Sequence, residues 1–191
     1  MPRPRDPCGG SAPPPLAMPA YHSKLVGVEA QEACSCAILP LKTNCRGPAP
    51  PGVPSEEDII DETLTYFRAN VLFRNFEVKG GADRTLIYLT LYTHQCLKEM
   101  ERVTSKQQAT RDLGQLAIRA FVIPGDNGWP LGTLFPAPAN RAEGDLFKAY
   151  FKQCREELGL RLVERLFNED GSKSKWWQAF SKRKFMGKEL K

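Results

Sequence analysis

Leu86, Ile87, Tyr88, Leu89, Leu91 and Tyr92 follow one another with little polar interruption, so a helix drawn through Asp83–Tyr92 is apolar around its whole circumference. A helix of that kind must be buried on every side. The pattern predicts a central helix that Asp83 can cap and that runs to about Val103, with Lys98–Arg102 as its charged end. Upstream, Ile60, Leu64, Phe67 and Val71 recur at helical spacing behind Ser55-Glu-Glu-Asp58, which reads as a capping box. Acids at that end also face the positive pole of the helix dipole. A third, weaker helix is expected over Ser105–Phe121, with Leu113, Leu116 and Ala120 on one side and Gly114 as a cost. Asn140 with Glu143 opens a fourth helix that should bury Phe147, Tyr150, Phe151, Cys154 and Leu158. Gly159 should stop or kink it before Leu160–Phe167. A last helix is expected from Ser174 to Phe185.

These elements predict an all-α fold, a compact bundle of five or six helices with Ala82–Val103 surrounded by the others. Strand alternation is not visible. Residues 1–17, with Pro13-Pro-Pro15, read as a disordered proline-rich leader. Residues 18–54 read as an extended segment crossing the surface, and 55–191 as the helical part of a single domain spanning 18–191. Pro124–Pro138 holds four prolines and three glycines. It should be a long irregular loop anchored by Trp129, Leu131 and Phe135. Loops of that length are often functional, so Trp129 and Phe135, if exposed, would form a docking surface.

Length and composition narrow the class. A chain of 191 residues supports one well-buried core. No apolar run approaches the roughly 20 residues that a membrane span needs. Arg3 and Arg5 are not followed by the apolar stretch of a signal peptide. The six cysteines should stay reduced, and Cys34, Cys36 and Cys45 lack a partner at zinc-module spacing, so free thiols are the expectation.

No catalytic constellation emerges. His94 and Cys96 sit two apart on a predicted helix and face different directions, so they cannot form a dyad. His22 is the only other histidine. Lys79-Gly-Gly-Ala-Asp-Arg-Thr85 places glycines before a helix but lacks the phosphate-loop pattern, and Asp83 would set a negative charge where a phosphate belongs. The acids of Asp58–Glu62 read as helix-start charges. No small-molecule substrate, cofactor or metal is implied.

Charge singles out the C-terminus. The net charge is +5, yet from Ser172 onward seven bases stand against one acid, so the tail carries +6 and the rest about −1. There Lys175, Lys182, Arg183 and Lys184 interleave with Trp176, Trp177, Phe180 and Phe185. Adjacent tryptophans on a helix point about 100° apart, so one can enter the core while the other reaches a partner. Lys175, Trp177, Lys182, Arg183 and Lys184, with Trp129 and Phe135, are the candidate partner-binding residues. The same mixture of bases and aromatics would suit a small nucleic-acid-binding or adaptor module. A cryptic thiol enzyme would instead require a low-pKa cysteine, with Cys96 the natural suspect.

An ordered set of segments adds a resemblance. Met18-Pro-Ala-Tyr-His-Ser23, Gly47-Pro-Ala-Pro50, Asp58-Ile-Ile-Asp-Glu62, Tyr66-Phe-Arg-Ala-Asn70 and Ala82–Tyr92 come first. Phe121-Val-Ile-Pro-Gly125, Pro138-Ala-Asn140, Gly159-Leu-Arg-Leu162 and Ser174-Lys-Trp-Trp177 follow. In order and spacing the chain resembles the subunit 3 family of the actin-related protein 2/3 complex, from Met18 to about Met186. It departs from the family at Lys24–Ala37, at Gly80-Gly81 and at Lys173, where a proline is expected. The resemblance implies a non-catalytic subunit of a cytoplasmic actin-nucleating assembly. It implies contact with actin-related protein 3 and the companion subunits, and help in engaging the side of a mother filament in branched networks. It implies no nucleic acid and no membrane, and ATP would belong to the actin-related proteins.

Overall fold

A computed structural model describes residues 20–190. The expectations for residues 1–17 and for Met18 lie outside the described residues. The order is a two-residue strand pair, β1 (Glu32–Ala33) and β2 (Cys36–Ala37), then α1 (Ile59–Asn70), α2 (Gly81–Glu99), α3 (Lys106–Ile118), α4 (Arg141–Leu166) and α5 (Lys175–Gln178). Short 3-10 turns stand at Met100–Arg102, Gly132–Leu134 and Phe185–Gly187.

The helix α2 is central. Leu86, Ile87, Tyr88, Leu89, Leu91 and Tyr92 are all buried, and α1, α3, α4 and the β1–β2 hairpin pack around it. Two of its buried threonines are satisfied locally: the Thr90 and Thr93 hydroxyls donate to Leu86 O and Leu89 O one turn back. Asp83 does not cap α2; Gly80 holds that position. Asp83 lies fully buried in the first turn instead, accepting from Lys79 N, Ser23 N and His22 Nδ1 at 3.0, 2.9 and 2.7 Å. Gly81 has a packing reason: a Cβ there would stand 3.0 Å from Ala37 N, so glycine lets the hairpin approach.

α1 begins at Ile59 rather than Ser55. Its cap is Asp58, whose Oδ1 accepts from Ile60 N and Asp61 N. The Asp58 carboxylate is also gripped by both terminal nitrogens of Arg161, at 2.7 and 2.9 Å, from α4. Arg161 further bonds Glu157 and the Lys42 carbonyl. One guanidinium thus ties α1, α4 and the N-terminal segment together, a fork geometry that lysine could not reproduce. α3 starts where expected, with Ser105 as its cap, but ends at Ile118 and leaves Ala120 exposed. Its buried face is Ala109, Leu113, Leu116 and Ala117.

α4 runs unbroken through Gly159, where a stop or a kink was expected. A Cβ at Gly159 would lie 3.4 Å from Leu113 Cβ, so this glycine serves close helix–helix approach. Arg155 on α4 is buried without a carboxylate partner among the described residues. Its guanidinium lies 4.5 Å from the Tyr92 ring centroid and 4.4 Å from that of Phe121, and Nη2 donates to Leu116 O.

The N-terminal segment is extended but does more than cross the surface. Ala33–Leu41 contributes Ala33, Cys34, Cys36, Ile38, Leu39 and Leu41 to the core. Cys34 and Ser35 take positive φ values of 51° and 57° at the hairpin turn. The stretch Tyr21–Lys24 is held by buried groups of α1 and α2: Ser23 Oγ donates to Glu62 at 2.6 Å, and Tyr21 exchanges bonds with the Asn70 amide.

Candidate functional site

The C-terminal segment is not one continuous helix. α5 is a single turn, Lys175–Gln178, and the chain then turns through Ala179–Lys182 before the 3-10 turn at Phe185–Gly187. Tertiary docking sets this path. His94 Nε2 donates to Ser181 O at 2.9 Å, Phe185 is fully buried edge-on to Phe76, and Met186 N donates to Phe73 O. Lys173, standing where a proline was expected, donates to the carbonyls of Met100 and Glu101 beyond the end of α2.

The two tryptophans divide as helical geometry requires, in a definite order. Trp177 is 7% exposed and stacks on Phe67 with centroids 5.7 Å apart, whereas Trp176 is 72% exposed. Trp177 therefore packs into the core, and Trp176 is the aromatic that faces outward. Phe135 is likewise buried, at 2% exposure, and the half-buried Trp129 stacks on Tyr88 and meets Phe135 and Phe147 edge-on. Within the loop over 124–138, Phe135 is thus packed fully inward and Trp129 in part.

Lys175, Lys182, Arg183 and Lys184 are all exposed. Lys184 pairs with Glu189 at 3.1 Å, and Lys98 reaches the same carboxylate at 3.6 Å. This pairing holds the Glu189 carboxyl below its usual value, chiefly through the Lys184 hydrogen bond. Lys182 and Arg183 have no ion pair among the described residues. They line a cleft with Lys184, Leu72, Arg74 and Met186. Sequence reasoning missed Leu72 and Arg74, because they follow α1 about a hundred residues away and carry no motif.

The other candidates are internal. His94 is 2% exposed, and burial lowers its pKa from the ordinary value despite the bond to Ser181. Cys96 is fully buried, and burial pushes its thiol up to about 12, the opposite of an activated nucleophile. Cys34 and Cys36 are buried free thiols of the hairpin; burial raises Cys34 to about 11. Asp58 and Glu62 serve as cap and anchor, and Asp61 bonds Lys42 and Arg161. Burial opposes ionisation of Asp61, but its bonds to Lys42 and the nearby Arg161 charge leave its carboxyl below its ordinary value.

Comparison with known proteins gives this scaffold its relatives. Residues 18–190 match the family model P21-Arc, described as the ARP2/3 complex ARPC3 (21 kDa) subunit. An actin-related protein 2/3 complex subunit 3 from Dictyostelium discoideum is 51% identical over 154 residues, 80% of this chain and 88% of that protein. The protein of the same name from Schizosaccharomyces pombe is 45% identical over 91% of this chain and all of its own length. The one from Arabidopsis thaliana is 43% identical over 87% of this chain and 96% of its own.

Proposed function

Because the chain belongs to the P21-Arc family, the 21 kDa subunits of the ARP2/3 complex, we propose that it lies against actin-related protein 3 in that complex and helps the assembly engage the side of a mother filament during branch nucleation. The coarser part of this reading follows from the family itself. The chain is a non-catalytic structural subunit of the actin-nucleating complex, its partners are the other subunits, and its setting is the actin cytoskeleton.

The observation that carries the finer part is the placement of charge. Lys175, Lys182, Arg183 and Lys184 all stand exposed on one terminal segment beside the outward Trp176, on a chain otherwise close to neutral. A local cationic surface assists docking on an acidic partner such as the actin surface. The contribution is differential binding: contacts made more strongly in the branching state shift the complex toward it. A nucleic-acid reading rests on the same cations and Trp176 and has no support from the family.

The test is charge reversal, K182E with R183E and K184E, in reconstituted complex. Filament-side binding should weaken, and more so at low salt, where screening is least. Unchanged binding, or a loss independent of salt, would remove the filament contact from these residues and leave subunit membership untouched.

A further inference from the structure

The loop that bears the tail cations is fixed at both ends. The bond from His94 to Ser181 O holds one end, and the buried Phe185 ring with the Met186 N–Phe73 O bond holds the other. Across the cleft Arg74 extends from the segment after α1, the same segment whose Phe73 carbonyl receives Met186 N. Four cationic side chains, Arg74, Lys182, Arg183 and Lys184, therefore share one concavity with no acidic residue in its lining. Among the described residues only Lys184 of the four has an ion-pair partner, Glu189. Four like charges with a single carboxylate among their partners repel one another, and a multivalent anion relieves that repulsion. Two guanidinium groups among the four favour phosphate oxygens, which match the fork of arginine two bonds at a time.

We propose that this cleft is a binding site for a ligand bearing clustered phosphate groups, either a free polyphosphorylated small molecule or the headgroup of a polyphosphorylated lipid. Ordering of the loop in advance limits the entropy lost on binding. Leu72, about half exposed at the rim, gives the lipid-borne form an apolar edge to lie against. The proposal goes beyond the filament reading, because it is tested by binding of a phosphate ligand without actin.

The test is titration of the full chain with inositol hexakisphosphate at physiological ionic strength, by calorimetry. The variant R74Q/R183Q removes two charges from the cleft, and R111Q/R119Q removes two exposed arginines outside its lining; circular dichroism checks that both fold. The expected result is saturable one-site binding that weakens at least tenfold in R74Q/R183Q and less than twofold in R111Q/R119Q. Equal weakening in both variants, or no binding by the folded wild-type chain, overturns the proposal. Sedimentation with vesicles holding phosphatidylinositol bisphosphate, against phosphatidylserine vesicles of matched charge, separates the sources. Preference for the bisphosphate vesicles assigns a lipid headgroup, and binding to the soluble ligand alone assigns a free one.

Discussion

The two adjacent tryptophans allow a stringent comparison, because nearly identical substitutions one residue apart should have separate consequences. Trp177 is 7% exposed against Phe67, and Trp176 is 72% exposed. Burying an aromatic of this size removes on the order of 150–250 Å² from water. At roughly 25 cal/mol per Å² that is about 4–6 kcal/mol, an upper bound because unfolded chains already bury some surface. Truncation of large aromatics to alanine in cores costs about 3–5 kcal/mol. Trp177 sits on a one-turn helix near the chain end, where neighbours can relax, so W177A should cost about 3 kcal/mol. In a domain of this size each kcal/mol moves the melting point by about 2–4 °C. The Tm of the full chain, followed by far-ultraviolet circular dichroism, should fall by about 6–12 °C in W177A. In W176A stability should change by less than about 0.5 kcal/mol. W176A should instead weaken filament-side binding by the reconstituted complex, since an exposed tryptophan beside cations has the character of an interface anchor. Equal losses of Tm in the two variants, or a W177A melt indistinguishable from wild type, would refute this packing of the C-terminal segment.

Three further outcomes follow from the same structure. Gly114 lies exposed in the middle of α3, and a Cβ there meets nothing within 4 Å, so G114A should stabilise the chain by about 0.4–1 kcal/mol in urea unfolding. His94 titrates below its ordinary value of 6.5 in the folded chain because it is buried. The unfolded state therefore takes up its proton first, stability should fall as pH drops from 6.5 toward the folded value, and H94Q should flatten that part of the pH–stability curve. Among the described cysteines only Cys45 is not fully buried, so a maleimide should label Cys45 in the native chain and reach Cys96 only after unfolding. Rapid native labelling of Cys96 would contradict its placement in the core.

What the sequence made legible follows from the range of the forces involved. The central helix was readable because apolar residues on every side leave only burial, and Phe147, Tyr150, Phe151, Cys154 and Leu158 disclosed α4 by spacing alone. The start of α1 was misplaced because the stronger cap, Asp58, is fixed by Arg161 from α4, a contact a hundred residues distant. Gly159 looked like a terminator for the same reason: what it accommodates, Leu113, belongs to another helix. The C-terminal segment was expected to be one helix from Ser174 to Phe185, but His94 and Phe73 bind the backbone around Ser181 and Met186 and bend the chain away from it. In the candidate site the cations of the tail were visible as charge. That Trp176 rather than Trp177 faces outward, and that Arg74 joins Lys182 and Arg183 in one cleft, are facts of packing that no local pattern contains.

The most direct test of the central claim is to tag this chain, purify it from its own cells at physiological salt, and identify by mass spectrometry what accompanies it. The account predicts both actin-related proteins and the companion subunits of the complex in equal proportion to the bait. A folded, soluble chain recovered without them, or recovered with nucleic acid in their place, would contradict it.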